Sequence, residues 1–229
     1  MTAPVALPQI SYTGPGFDAA FMASLQEYGF AAVVDHPLDD DRVARIYGEW
    51  LAFFSSGEAS GFRMDPVKQD GYFSLEEAEH AKGFVERDFK EYFQFYPWGR
   101  CPESLQADLA SHFAAAVDLG AELLNCIARS LPEAVSAELT EPLRDMIQGS
   151  EQSMLRVLHY PPVPTGRSVL RAAPHEDINL LTLLPAADGP GLELQLRSRE
   201  WISVPDSPGQ LIVNIGDMLQ EATLSLIHI

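Results

Sequence analysis

Apolar positions follow two regimes along the chain. Up to about residue 150 they recur every three or four positions, the period of a helix; beyond it they form short runs, the mark of strands. The opening Leu7 to Tyr12 reads as a short extended segment, followed by a turn at Gly14-Pro15-Gly16. Asp18 is expected to cap a helix carrying Phe21, Met22, Leu25 and Tyr28, which Gly29 ends. Phe30 to Val34 is continuously apolar and predicts a buried strand. Asp39 to Asp41 open a second helix with Val43, Ile46, Tyr47, Trp50 and Phe54 on one face, and its acidic start complements the helix dipole. Residues 55–103, rich in Gly, Pro and charge, read as loop-rich, within an N-terminal region of helices, short strands and loops. Ser104 to Leu131 is the longest helical pattern, stopped by Pro132, and a shorter helix is expected from Glu141 to Gln148.

The second regime consists of Ser153–Tyr160, Ser168–Ala173, Ile178–Leu184, Gly191–Leu196, Trp201–Val204 and Gln210–Ile215. These runs are rich in Leu, Val and Ile and are separated by Pro, Gly and Asp, as in an antiparallel sandwich or barrel. The expected fold is therefore mixed α and β, a helical N-terminal half feeding a β C-terminal half. The change near residue 150 is not read as an independent domain boundary, because the helices need a sheet to pack against.

Composition narrows the function. The 229 residues are 46% hydrophobic and 10% aromatic, enough for a sizeable core. With 15 Lys and Arg against 33 Asp and Glu, the net charge is −18. Phosphate backbones and anionic membrane surfaces are gripped by Lys and Arg, so neither nucleic acid nor membrane is expected as a partner. Cys101 and Cys126 are too few for a disulfide scaffold and too far apart for a zinc knuckle. Met1 to Gln9 holds no basic residue and no long apolar run, and stretches such as Leu180–Leu184 are too short to span a bilayer. A cytoplasmic location fits best.

The chemistry concentrates in Ala173-Pro174-His175-Glu176-Asp177. On a strand, His175 and Asp177 would point the same way, with Glu176 opposite. An imidazole beside a carboxylate is two-thirds of a 2-His-1-carboxylate facial triad, whose donors suit Fe(II), Mn(II) or Zn(II) by ligand type. A bare His-x-Asp also arises by chance, as a hydrogen bond in a surface loop. The neighbouring sequence decides between the two.

Those neighbours are Leu155-Arg156-Val157-Leu158-His159-Tyr160-Pro161-Pro162 before the tripeptide and Leu180 to Leu184 after it. Gly191 to Leu194, Trp201 to Val204, Pro208-Gly209 and Val213 to Gln220 follow in order. Upstream stand Pro8-Gln9-Ile10, Tyr28-Gly29-Phe30 to His36, Gly71-Tyr72-Phe73 and Asp88 to Phe93. As an ordered set over most of residues 7–223, these motifs resemble the iron(II)- and 2-oxoglutarate-dependent oxygenases of the isopenicillin N synthase-like type. The resemblance implies a double-stranded β-helix, or jelly-roll, with an N-terminal helical region packed on it. It implies Fe(II), 2-oxoglutarate and O₂ as cofactor and co-substrates, succinate and CO₂ as products, and oxidation, most often hydroxylation, of a small organic molecule. His175 and Asp177 match the first two iron ligands. Tyr160 matches a tyrosine that often hydrogen-bonds 2-oxoglutarate, or is a core tyrosine. Arg156 could meet a substrate carboxylate or form a structural salt bridge. Asn179, two residues beyond Asp177, is a candidate pocket group, and His159 reads as structural. The regions implied are 1–103 (N-terminal), 104–150 (supporting helices) and 151–223 (partial catalytic core).

The family pattern also has a second histidine some fifty residues after the first, then an Arg-x-Ser for 2-oxoglutarate. Leu224 to Ile229 does not fit it. The hexapeptide is what a transposon adapter end used in sequencing-library preparation encodes, so residues 224–229 are expected to be foreign, with the last core strands missing and the 229-residue chain a weak iron binder with little or no turnover. The competing reading makes His228 a displaced third ligand. A 2-oxoglutarate-independent iron oxidase of the same fold and a non-catalytic jelly-roll binding module stay open as alternatives. Substrate identity and oligomeric state stay open too.

Overall fold

The computed structural model describes residues 7–79, 87–166, 169–196, 198–205 and 207–227. The chain divides into two compact units, one of Asp39–Ala115 with Gly149–His175, the other of Met1–Leu38, Ala116–Gln148 and Glu176–Ile229.

In the first of these units, helix α2 (Asp40–Ser56) starts where the acidic run predicts. The Asp39 carboxylate accepts the Arg42 N–H at 3.0 Å, satisfying one of the donors a helix start leaves open. Its buried face is Ile46, Trp50 and Phe53; Phe53 replaces Val43 and Tyr47 of the expected stripe. That face packs on a three-stranded antiparallel sheet of β3 (Gly71–Phe73), β4 (Glu91–Phe95) and β5 (Leu155–His159), with β4 in the middle. Phe93, Phe95 and Val157 face the helix, and the Trp50 and Phe93 rings lie 4.7 Å apart. Each such side chain contributes about 1.5–3 kcal/mol on burial. The opposite face carries Phe73, Tyr92, Gln94 and Arg156, because Phe73 pairs with Tyr92 and Gln94 with Arg156.

Two strands of this sheet, β3 and β4, lie within the loop-rich residues 55–103. Tyr92, Phe93, Gln94 and Phe95 are all buried. A strand covered on both faces shows no apolar–polar alternation, so its period is silent in the sequence. Helix α3 (Glu103–Ser130) matches its expected span to a residue at each end. The helix expected over 141–148 is a series of turns, closed by bonds such as Gln148 N–H to Asp145 O at 3.2 Å. A four-residue helix α4 (Glu133–Ser136) lies upstream of it.

The other unit holds a four-stranded sheet in the order β1 (Gln9–Ser11), β2 (Phe30–Val34), β9 (Leu211–Ile215), β6 (Leu181–Pro185). Only β1–β2 is parallel, joined by α1 (Phe17–Tyr28). The cap of α1 is Gly16, not Asp18. Asp18 sits inside the first turn, where its carboxylate accepts from Arg129 at 2.6 Å. Gly29 ends α1 with φ 74°, a conformation glycine adopts freely. β9 is buried along its whole length. A hairpin of β7 (Glu193–Gln195) and β8 (Trp201–Ser203) packs Leu194 and Ile202 with Ala32 and Ile212. Helix α5 (Asp217–Ala222) follows β9. No strand forms over 169–173, so the expected run 168–173 is not one; Ser168 itself lies outside the described residues.

Candidate active site

His175 and Asp177 lie outside any strand, so the alternation argument that paired them does not apply. What holds each is a local network. The Ala173 N–H donates to Asp88 Oδ1 at 2.9 Å. Asp88 is buried, as is Lys90, whose ammonium lies 2.8 Å from Asp88 and 3.7 Å from Glu79. The Ala173 carbonyl in turn lies 2.8 Å from His175 Nδ1. A carbonyl only accepts, so Nδ1 donates to it; in the neutral ring that leaves the lone pair on Nε2. That is the tautomer a metal-ligating histidine adopts, oriented by its other nitrogen.

In the other unit, Asp177 Oδ2 accepts from the Thr182 hydroxyl at 2.5 Å and from Asn214 Nδ2 at 2.9 Å. Thr182 and Asn214 are direct register partners across β6 and β9, so the sheet aims both donors at one oxygen. Asn179 donates to Thr182 Oγ1 at 2.8 Å, which commits its amide to this relay. Gly216 closes the segment from beneath. A Cβ there would lie 2.2 Å from the Asn179 carbonyl oxygen and 2.7 Å from that of Asp177, and the Asp217 N–H donates to the Asp177 carbonyl at 2.8 Å.

The other residues singled out by sequence fall in the first-described unit. The Arg156 guanidinium makes two hydrogen bonds to Glu79, at 3.1 and 3.3 Å, and one to Gln94 at 3.0 Å. It also lies 4.6 Å over the Tyr92 ring. The salt-bridge alternative is thus the geometry observed. Tyr160 sits just past β5, and burial, then the charge of Asp88, push its phenol up from the ordinary range. It stays a neutral donor at pH 7. His159 pairs with Glu91 at 2.7 Å and stacks on Phe54, as its structural reading expects.

His175 and Asp177 fit Fe(II) by donor type, a neutral imidazole and an oriented carboxylate. Among the described residues no three His, Cys, Asp or Glu groups assemble as a metal site. His228 lies outside the described residues. Burial pushes the Cys101 and Cys126 thiols up to about 12. Sequence reasoning missed Thr182, Asn214, Asp88, Lys90 and Gly216 as supports. The one signal available was Asn214, a lone polar residue inside the apolar run Leu211–Ile215.

The model of the 2OG-Fe(II) oxygenase superfamily matches residues 151–225. A crystal structure from Shewanella oneidensis, described as an oxygenase, superposes with a TM-score of 0.89 at 41% identity, over 98% of this chain and 81% of that one. The 2-oxoglutarate-dependent dioxygenase ucsF of an Acremonium species is 30% identical over 89% of this chain and 70% of its own length. Gibberellin 2-beta-dioxygenase 1 of Pisum sativum is 22% identical over 95% of this chain and 68% of its own length.

Proposed function

The chain belongs to the 2OG-Fe(II) oxygenase superfamily, and on that premise we propose that His175 and Asp177 supply two ligands to its iron. The fold is the jelly-roll of these enzymes, with helices beside the sheets. The protein is an Fe(II)- and 2-oxoglutarate-dependent dioxygenase of a small organic molecule, with 2-oxoglutarate and O₂ converted to succinate and CO₂. The 2-oxoglutarate-independent oxidase and the non-catalytic module give way to this reading, since ucsF is named as 2-oxoglutarate-dependent.

The observation that carries the ligand assignment is that hydrogen bonds from the protein itself orient both donors. His175 binds through Nε2 because Ala173 O holds Nδ1 as a donor. Asp177 is aimed by Thr182 and Asn214, which leaves less of its rotational freedom to be lost on binding. Iron held by His175 and Asp177 would supply activation of O₂, which no side chain provides. Tyr160, kept neutral, is the group we assign to donate a hydrogen bond to 2-oxoglutarate. Asn179 acts through Thr182 on Asp177. Arg156 is assigned to the wall of the substrate cleft. Hydroxylation is the outcome we favour.

We also place the catalytic core at residues 151–223, a reading supported by the family match over 151–225. The charge of −18 supports a protein that binds neither nucleic acid nor anionic membrane, and no helix among the described residues is long and apolar enough to cross a membrane. A cytoplasmic location is in keeping with both.

Succinate release from 2-oxoglutarate, measured with Fe(II) and ascorbate, tests the assignment. The expected result is iron-dependent succinate that falls to background in His175→Ala and Asp177→Ala. Undiminished release in both variants would remove these residues as ligands.

A further inference from the structure

The face of the β3-β4-β5 sheet turned away from α2 borders a cleft of about 630 Å³. Its walls are unusual in two respects, one aromatic and one electrostatic.

The first is aromatic. Phe73 and Tyr92 stack at 4.6 Å with their planes 14° apart, and Tyr96 and Trp98 stack at 4.6 Å and 18°. All four line the cleft. Phe73, Tyr92 and Tyr96 are buried, while Trp98 is 43% exposed. Its indole N–H donates to the Glu151 carbonyl at 2.9 Å, and that bond fixes the ring. A partly exposed, immobilised indole backed by a second ring offers a flat ligand a surface whose ordering cost is already met.

The second is electrostatic. Four charged residues line the cleft, Lys68 and Arg156 against Glu77 and Glu79, so their formal charges cancel. Arg156, the cation nearest the rings, has both terminal nitrogens bonded to Glu79 and one also to Gln94. Its Nε is shut off from solvent. A guanidinium held this way by a carboxylate is a poor receptor for another carboxylate, since binding would break a charge-assisted pair to make one. Gln94 is tied in as well, its amide donating to the Gln69 carbonyl at 2.9 Å and to the Tyr96 hydroxyl at 3.0 Å.

The cleft is also joined to the histidine of the proposed iron site inside the same unit. Arg156 bonds Glu79, Glu79 faces Lys90, Lys90 pairs with Asp88, Asp88 holds Ala173, and Ala173 holds His175. We infer that this cleft is the substrate site, and that it takes an uncharged planar ring, arene or heteroarene, in preference to a carboxylic acid. The inference rests on the oxygenase reading for the oxidation of that ring's substituents, but not for its binding.

Binding is therefore tested by calorimetry on the iron-free protein, with three probes: p-cresol, 4-hydroxybenzoate and cyclohexanol. The expected result is one-to-one binding of p-cresol about tenfold tighter than of 4-hydroxybenzoate or cyclohexanol, a difference of about 1.4 kcal/mol. Trp98→Ala, at a partly exposed position, should weaken p-cresol at least about fivefold, the scale of one lost aromatic contact. Glu79→Gln releases Arg156 from its partner and should narrow the preference for p-cresol over 4-hydroxybenzoate. The inference is overturned if 4-hydroxybenzoate binds wild type as tightly as p-cresol, if Trp98→Ala leaves p-cresol unchanged, or if cyclohexanol matches p-cresol. Succinate release without any added probe reports on the oxygenase reading separately, so failure of one does not imply failure of the other.

Discussion

A carboxylate holds a metal well only when its oxygens are aimed, and at Asp177 two side chains do the aiming. Thr182→Val keeps the shape of the threonine and removes its hydroxyl, and Asn214→Ala removes the second donor. Each should weaken Fe(II) binding by about 10–100-fold, the usual cost of losing an outer support of a metal ligand. Anaerobic titration with Fe(II) reads it, and unchanged affinity in both variants would leave the two donors without a role at the metal. Gly216 is a backbone requirement of a different kind. Its φ of −115° suits any residue; the obstacle is the Asn179 carbonyl 2.2 Å from where a Cβ would stand. Gly216→Ala must therefore push the Asp177–Asn179 segment aside, and a loss of about 1–3 kcal/mol is expected in denaturant unfolding. None of this was legible in the tripeptide. His-x-Asp was read as a ligand pair by an alternation that the backbone does not adopt. The supports come from β6 and β9, whose register is a tertiary fact.

At the scale of elements, the sequence was most readable where one signal acted alone. The Asp39 cap, the Gly29 stop and the Pro132 stop placed α2, α1 and α3 almost to the residue. It was least readable in β4, which is covered on both sides and carries Gln94 inward to a polar cleft. Asp88 and Lys90, just before β4, entered the sequence reading only as part of the Asp88 to Phe93 motif. They form a buried pair, and breaking such a pair leaves one ion stranded. Lys90→Met should cost about 3–5 kcal/mol in denaturant unfolding, and the double variant with Asp88→Asn should recover part of it. Equal stability of wild type and Lys90→Met would contradict the burial. The loop before β3 carries a pH signature. Burial raises the Asp70 carboxyl, but hydrogen bonds from the Arg100 side chain and N–H outweigh it and hold its pKa below the ordinary value. A folded-state pKa below the unfolded one stabilises above the unfolded value, about 3.9, and that stability is lost as pH falls through the folded one. The gap in melting temperature between wild type and Asp70→Asn should thus be wide at pH 7 and narrow toward pH 3. A gap that widens in acid would reverse the assignment.

For the whole molecule, the division into two compact units does not follow the change of periodicity near residue 150. The long helix α3 starts among the residues of one unit and ends among those of the other, so a reading that walks along the chain cannot find the division. The ordered motifs did carry the family, because their spacing records the fold as a whole rather than any one element. The central claim is narrower than the family: that iron is held by His175 Nε2 and the Asp177 carboxylate. The most direct measurement is anaerobic Fe(II) binding by calorimetry to wild type, His175→Ala and Asp177→Ala, with folding checked by circular dichroism. The account predicts that each folded variant loses at least about a hundredfold in affinity, more than the loss of an outer support. Folded variants that bind Fe(II) as wild type does would contradict it.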